Sequence, residues 1–165
     1  MTTQSKPKKD SEFRCMECGA GTVRPFAAAG REAKFRTLTL PVPARLKIPT
    51  CDHCGTEWIN DTTAEALDQA LDKEYRARMR DLIDATMTRI SESNVPKSEI
   101  EKALGLSQGY LSHLTGDKTP SVALASELVF IAQNPRKRIQ DLENLWKKLS
   151  GPNPDPVGAL AQLSR

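Results

Sequence analysis

Histidine is almost missing from this 165-residue chain, which has two copies, His53 and His113, and aromatic residues make up only 5% of it. Hydrolytic metal sites need imidazoles or carboxylates around an open coordination position, and so few histidines argue against an enzyme of that kind. The scarcity of aromatics limits the chain to modest cores, in one or two small domains. Long apolar runs are lacking too: nothing approaches the roughly 18 residues that a bilayer crossing requires. The stretch Met1–Asp10 is polar and lysine-bearing, with no apolar signal core, so a soluble cytoplasmic protein is expected. A net charge of +3 is too small to identify a nucleic-acid binder by itself.

What is present is concentrated in four cysteines, spaced Cys15-x-x-Cys18 and Cys51-x-x-Cys54. Two such knuckles can place four thiolates on one tetrahedral ion at about 2.3 Å, leaving no position for water, which points to one structural zinc per chain. Four cysteines also suit an iron–sulfur cluster, disulfides in a secreted domain, or a thioredoxin-like redox pair. The last needs one pair beside a βαβ pattern, whereas here two pairs sit in short strand-like surroundings. Gly19 and Gly55 follow the knuckles directly and offer positive φ, which lets backbone amides turn toward the thiolates. His53 lies inside the second knuckle and reads as an exposed loop residue, since four sulfurs already complete the shell.

The organisation expected is α+β, a small zinc-ribbon β domain joined by a long helix to an all-α helix-turn-helix domain. Residues 1–12 read as a disordered arm. Residues 13–60 form the ribbon, with strands over Val23–Ala27, Phe35–Leu40 and Arg45–Pro49, a turn at Gly30, and Trp58 packed over the sheet. Pro41, Pro43 and Pro49 push parts of it to edges or turns. Thr62 to Glu65 has capping-box spacing and announces a connecting helix over 61–95. Its apolar stripe is Ala64, Leu67, Leu71, Tyr75, Met79, Leu82, Thr86 and Ile90, with Asp68, Asp72, Arg76, Arg80 and Asp84 on the solvated side.

Residues 96–150 read as the helix-turn-helix domain. Lys97–Leu104 and Ser107–Leu114 are two short helices, the second capped by Ser107, joined by a turn in which Gly105 takes the left-handed conformation. Ile100, Leu104, Leu106, Leu111 and Leu114 are the core positions. Two more helices follow, one opened by Thr119-Pro-Ser121 with the stripe Leu124, Leu128 and Ile131. The other carries Ile139, Leu142, Leu145, Trp146 and Leu149, a candidate dimer surface that could equally be intramolecular core. Residues 151–165 read as a flexible tail.

A four-cysteine ribbon, a connecting helix and a helix-turn-helix, in that order, resemble the MqsA (YgiT-type) zinc-finger antitoxins of bacterial toxin–antitoxin pairs. The carriers are the two knuckles with Gly55 and Trp58, and the run Gly105–Gly116 followed by Thr119-Pro-Ser121. That run also resembles the Cro- and repressor-type class by itself. The resemblance implies that residues 13–60 bind a toxin, a small ribonuclease, while 96–150 dimerise and repress the chain's own operon. Two positions depart from the pattern. The family's base-reading asparagine and arginine fall on Gly109 and His113, which leaves the operator open. Glu101 stands where alanine is usual, which predicts a wider crossing of the two short helices.

Major-groove reading requires short donors and acceptors at the start of the second motif helix. Gln108, Tyr110, Ser112 and His113 fit, and Gly109 permits close approach; Tyr110 and His113 would otherwise simply cover surface. Phosphate contacts are expected from Lys97, Lys118 and the N-terminal amides of the motif helices, with Ser107 among the DNA-facing residues; Arg136–Arg138 either adds to this contact or is plain solvated surface. Two half-sites one DNA turn apart imply a homodimer on double-stranded operator DNA. The competing function is a stand-alone zinc-containing regulator, such as a phage or mobile-element repressor, without a toxin partner.

Overall fold

A computed structural model describes residues 12–114, 119–150, 152 and 154–161. It is mixed α+β, and packing divides it into two units whose border falls between Tyr75 and Arg76, inside the longest helix. The first unit contains β1 (Phe13–Arg14), β2 (Thr22–Ala27), β3 (Glu32–Phe35), β4 (Leu38–Pro41) and β5 (Lys47–Cys51). These make a three-stranded sheet in the order β1-β2-β5 and a separate β3-β4 hairpin, both antiparallel.

In the larger sheet Val23 faces Cys51 and Pro25 faces Pro49. The Pro49 carbonyl accepts from the Trp58 amide on the opposite side, so the proline pair sits at a position that exchanges no ladder hydrogen bond. Arg31, 15% exposed, ties the sheet together: its guanidinium reaches Glu57 at 2.8 Å, the Thr50 hydroxyl at 3.0 Å and the Phe26 carbonyl at 2.9 Å.

The strand expected over Phe35–Leu40 is instead interrupted by a turn at Arg36–Thr37, with Arg36 at φ 53°. A left-handed arginine is unusual. Its guanidinium lies 4.8 Å from the Tyr75 ring centroid and 3.5 Å from Asp72, and Phe35 meets Tyr75 edge-on at 5.9 Å. These contacts hold the hairpin against the first half of the long helix, over a core of Leu40, Val42, Ile48, Leu71 and Tyr75.

That helix, α1, runs Asp61–Glu92. The capping box at Thr62 and Glu65 does not form. Asn60 caps the helix, its Oδ1 accepting from the Thr63 amide at 2.8 Å, and the helix starts one residue before Thr62. The buried stripe is Leu71, Tyr75, Met79, Ile83, Thr86 and Ile90. Ile83 thus replaces the expected Leu82, which is 42% exposed. Thr86 is tolerated in the stripe because its hydroxyl donates to the Leu82 carbonyl at 2.6 Å.

The second unit adds α2 (Lys97–Ala103), α3 (Tyr110–His113), α4 (Val122–Gln133), α5 (Pro135–Leu149) and α6 (Pro156–Ala161). Ser121 caps α4, accepting from the Leu124 amide. Asn134 ends α4 and caps α5, with Pro135 at the first helical position, so one Asn-Pro step makes the corner. The core is Ile100, Ala103, Leu111, Leu114, Ala125, Leu128, Ile131, Ala132 and Ile139. Leu104 and Leu106, expected in that core, are half-buried, as is Leu124. Helix α6 lies within the stretch expected to be a flexible tail. Residues 1–11 of the expected arm lie outside the described residues. Among the described residues no helix is long and apolar enough to cross a membrane.

Candidate functional site

Cys15 follows β1, and Cys51 ends β5, directly across from Val23 of the central strand. Strand pairing therefore brings the two knuckles together, and all four sulfurs lie within 4.8 Å of one another. Two of the separations, Cys15 to Cys54 and Cys18 to Cys51, are 3.7 Å. Sulfurs at about 2.3 Å from a shared tetrahedral ion lie about 3.8 Å apart, so the spacing fits a single ion. A disulfide needs about 2.05 Å, and all four residues are free cysteines. Cys15 and Cys51 are buried, Cys18 is half-buried and Cys54 is exposed. The His53 side chain is outside the sulfur set and exposed, as read from the sequence.

Backbone amides point at the sulfurs, from Gly21 to Cys18 and from His53 to Cys51, both at 3.4 Å. Gly19 and Gly55 have φ of 62° and 75° and turn the knuckles, their amides bonding the carbonyls of Cys15 and Cys51. The sulfur-directed amides thus belong to neighbouring residues rather than to these two glycines. Amides of Gly21 and then Ala20 hold the Cys18 thiol below its ordinary value. The Thr56 hydroxyl, followed by the Thr56 amide, pulls Cys54 down to about 6. At Cys51 the Cys54 amide favours the thiolate, but burial and the sulfurs of Cys54 and Cys15 prevail and push it up to about 11. Trp58 packs on the cluster of Cys15, Val23 and Cys51, with Phe13 edge-on at 5.8 Å.

The residues expected to face DNA lie around α2 and α3. Lys97 opens α2 and is exposed, Ser107 and Gln108 are exposed in the intervening turn, and Tyr110, Ser112 and His113 are exposed on α3. Lys118 lies outside the described residues. The second short helix begins at Tyr110 rather than Ser107. Ser107 contributes only its carbonyl, accepting from the Tyr110 amide, and the N-cap is Gly109 at φ 81°, without a side-chain cap. Gly105 has φ 65°, the left-handed turn residue read from the sequence.

Glu101 has a definite role between the two short helices. It is 3% exposed, and its carboxylate accepts from the Gly109 amide at 2.9 Å and the Leu111 amide at 2.8 Å. These α3 amides are therefore already occupied, which corrects the expectation that they contact phosphate.

Of the five residues offered as a dimer surface, Ile139 is 5% exposed and belongs to the core. Leu142, Leu145 and Leu149 are half-buried. Trp146 is 48% exposed, with its indole N–H donated to the Ala103 carbonyl at 2.8 Å. Arg138 lies 3.9 Å from Asp141 and 5.8 Å from the Phe130 ring centroid, while its Nε is buried without a hydrogen-bond partner among the described residues.

The chain matches no protein-family model, no curated protein and no solved structure. The geometry described above therefore carries the functional reading.

The roles of two residues escaped the sequence reading. Gly21 needs its missing side chain: a β-carbon there would lie 2.5 Å from Cys51 Sγ and 2.7 Å from His53 Cβ. Its only sequence signal is a glycine three residues after the first knuckle. Glu101 is the other, because its partners lie eight and ten residues ahead in a turn whose shape the spacing alone does not specify.

Proposed function

We propose that this chain is a DNA-binding antitoxin and autorepressor of a toxin–antitoxin pair, with a structural zinc in its sheet unit and a helix-turn-helix in its helical unit. The observation that carries the DNA reading is the pair α2 and α3, joined through left-handed Gly105, with Gln108 exposed in the turn before the second helix and Tyr110, Ser112 and His113 exposed on it. Such side chains present donors and acceptors to base edges, and Gln108 suits a paired contact with adenine. Lys97 would position the duplex through a phosphate.

The four-sulfur set leaves no open position for a reacting water, so zinc held by Cys15, Cys18, Cys51 and Cys54 would stabilise the unit rather than catalyse. A reduced cytoplasmic setting keeps those thiols available. The partners proposed are operator DNA, a toxin bound by the sheet unit, and a second copy of the chain. The last is supported by the half-site geometry of such readers.

A gel-shift titration on the gene's own upstream region tests the DNA reading. Gln108→Ala and His113→Ala should each cost about 1–3 kcal/mol on the cognate duplex and much less on random DNA. Equal losses on both duplexes would remove these residues from the groove. Co-expression with the product of the neighbouring reading frame tests the toxin. Operator binding without a neutralised partner would leave the stand-alone regulator.

A further inference from the structure

An ionised carboxylate withdrawn from water is strongly destabilising unless its lone pairs are satisfied. Glu101 meets that condition through one contact per oxygen, Oε2 with the Gly109 amide and Oε1 with the Leu111 amide. The partners are the N-cap amide and the second helical amide of α3, and backbone N–H bonds to a carboxylate are among the stronger hydrogen bonds. The dependence is mutual. Helix α3 spans four residues and has no side-chain cap at left-handed Gly109; the Tyr110 amide donates to the Ser107 carbonyl, while the Gly109 and Leu111 amides have no other described acceptor than Glu101. A two-oxygen clamp fixes the direction of the short helix as well as attracting it. The frame of the clamp is held in turn: the Ala103 carbonyl, two residues after Glu101, accepts from Trp146 of α5.

We propose that Glu101 is the positioning residue of the DNA-reading helix. Its carboxylate sets the direction in which Tyr110, Ser112 and His113 project and keeps the α3 amides from serving as a sequence-blind phosphate grip. This inference rests on the DNA reading above. It assigns selectivity to a side chain that touches no DNA.

The test compares the full zinc-loaded chain with Glu101→Gln and Glu101→Ala. Glutamine keeps the shape but offers one acceptor, and its NH2 group would face an amide N–H. In amide NMR spectra the Gly109 and Leu111 protons should move upfield in both variants and exchange faster with solvent, while amides within α2 stay put. On DNA, the cognate-to-random affinity ratio should fall about tenfold or more, through lost cognate affinity and a gain on random duplex as the freed Gly109 and Leu111 amides meet phosphate. If Glu101→Gln does not fold, Glu101→Ala carries the same comparison, since alanine suits a close approach of two helices. A selective wild-type protein with folded variants of unchanged ratio overturns this proposal alone. A wild-type protein without preference for its upstream region overturns the DNA reading and the proposal together.

Discussion

At Gly21 a β-carbon would press into the Cys51 sulfur at 2.5 Å, whereas at Gly19 it would meet nothing within 4 Å. The two glycines should therefore fail differently. Gly21→Ala should lower zinc affinity by about tenfold or more by spreading the sulfurs. Gly19→Ala, with φ 62°, should cost about 1 kcal/mol of stability and keep one metal per chain. Competition with a chromogenic chelator separates them. The thiols also set a pH dependence. With Cys54 pulled down to about 6 and Cys51 pushed up to about 11, these thiols titrate as a coupled set, and a metal must displace the protons that set retains at neutral pH. Affinity should fall as pH falls, and more steeply below about 6, where Cys54 also takes up a proton. Thr56→Ala removes the largest influence holding Cys54 down, so the steeper limb should begin at higher pH. Zinc competition titrations across that range check the sign.

The start of α1 offers two readings of one segment, a capping box at Thr62 and Glu65 or a cap by Asn60, and the structure takes the second. Asn60→Ala should cost about 1 kcal/mol in chemical denaturation, and Thr62→Ala a few tenths. Likewise Ile83→Ala should cost about 2–5 kcal/mol and Leu82→Ala under about 1, since Ile83 is 2% exposed and Leu82 42%. These two cases show why sequence reached only part of the fold. The gathering of the four sulfurs was legible because two Cys-x-x-Cys pairs suit one tetrahedral ion, and Gly105 because few residues suit a left-handed turn. Helical spacing alone does not choose between adjacent Leu82 and Ile83, since steps of three and four reach either. The hairpin turn was hidden because its left-handed residue is Arg36, held there by Tyr75 and Asp72 rather than by any preference of arginine. Glu101 was read by size, and its role emerged only with the amides it faces.

Across the whole molecule, each unit carries one tryptophan, Trp58 beside the cysteines and Trp146 among the helices. Removing zinc should change Trp58 emission and abolish the cooperative unfolding of the sheet unit, because structural zinc contributes about 10–16 kcal/mol to such domains. Trp146 emission and the helical signal at about 222 nm should persist, because most helical residues lie in the other unit. Single-tryptophan variants, Trp58→Phe and Trp146→Phe, read the units separately, and loss of both signals on chelation would contradict independent units. The facing prolines bear on how the metal site comes together. Neither can donate a ladder hydrogen bond, so a one-residue slip of β5 along β2 would bring a ring nitrogen to a point where the sheet demands a donor. Such a slip would also carry Cys51 about 3.3 Å along the strand, nearly a full sulfur–sulfur spacing. Pro25 and Pro49 thus act as a key for alignment: of the neighbouring registers, the paired prolines disfavour the one-residue slip, and the register that remains is the one that sets the second knuckle in step with the first.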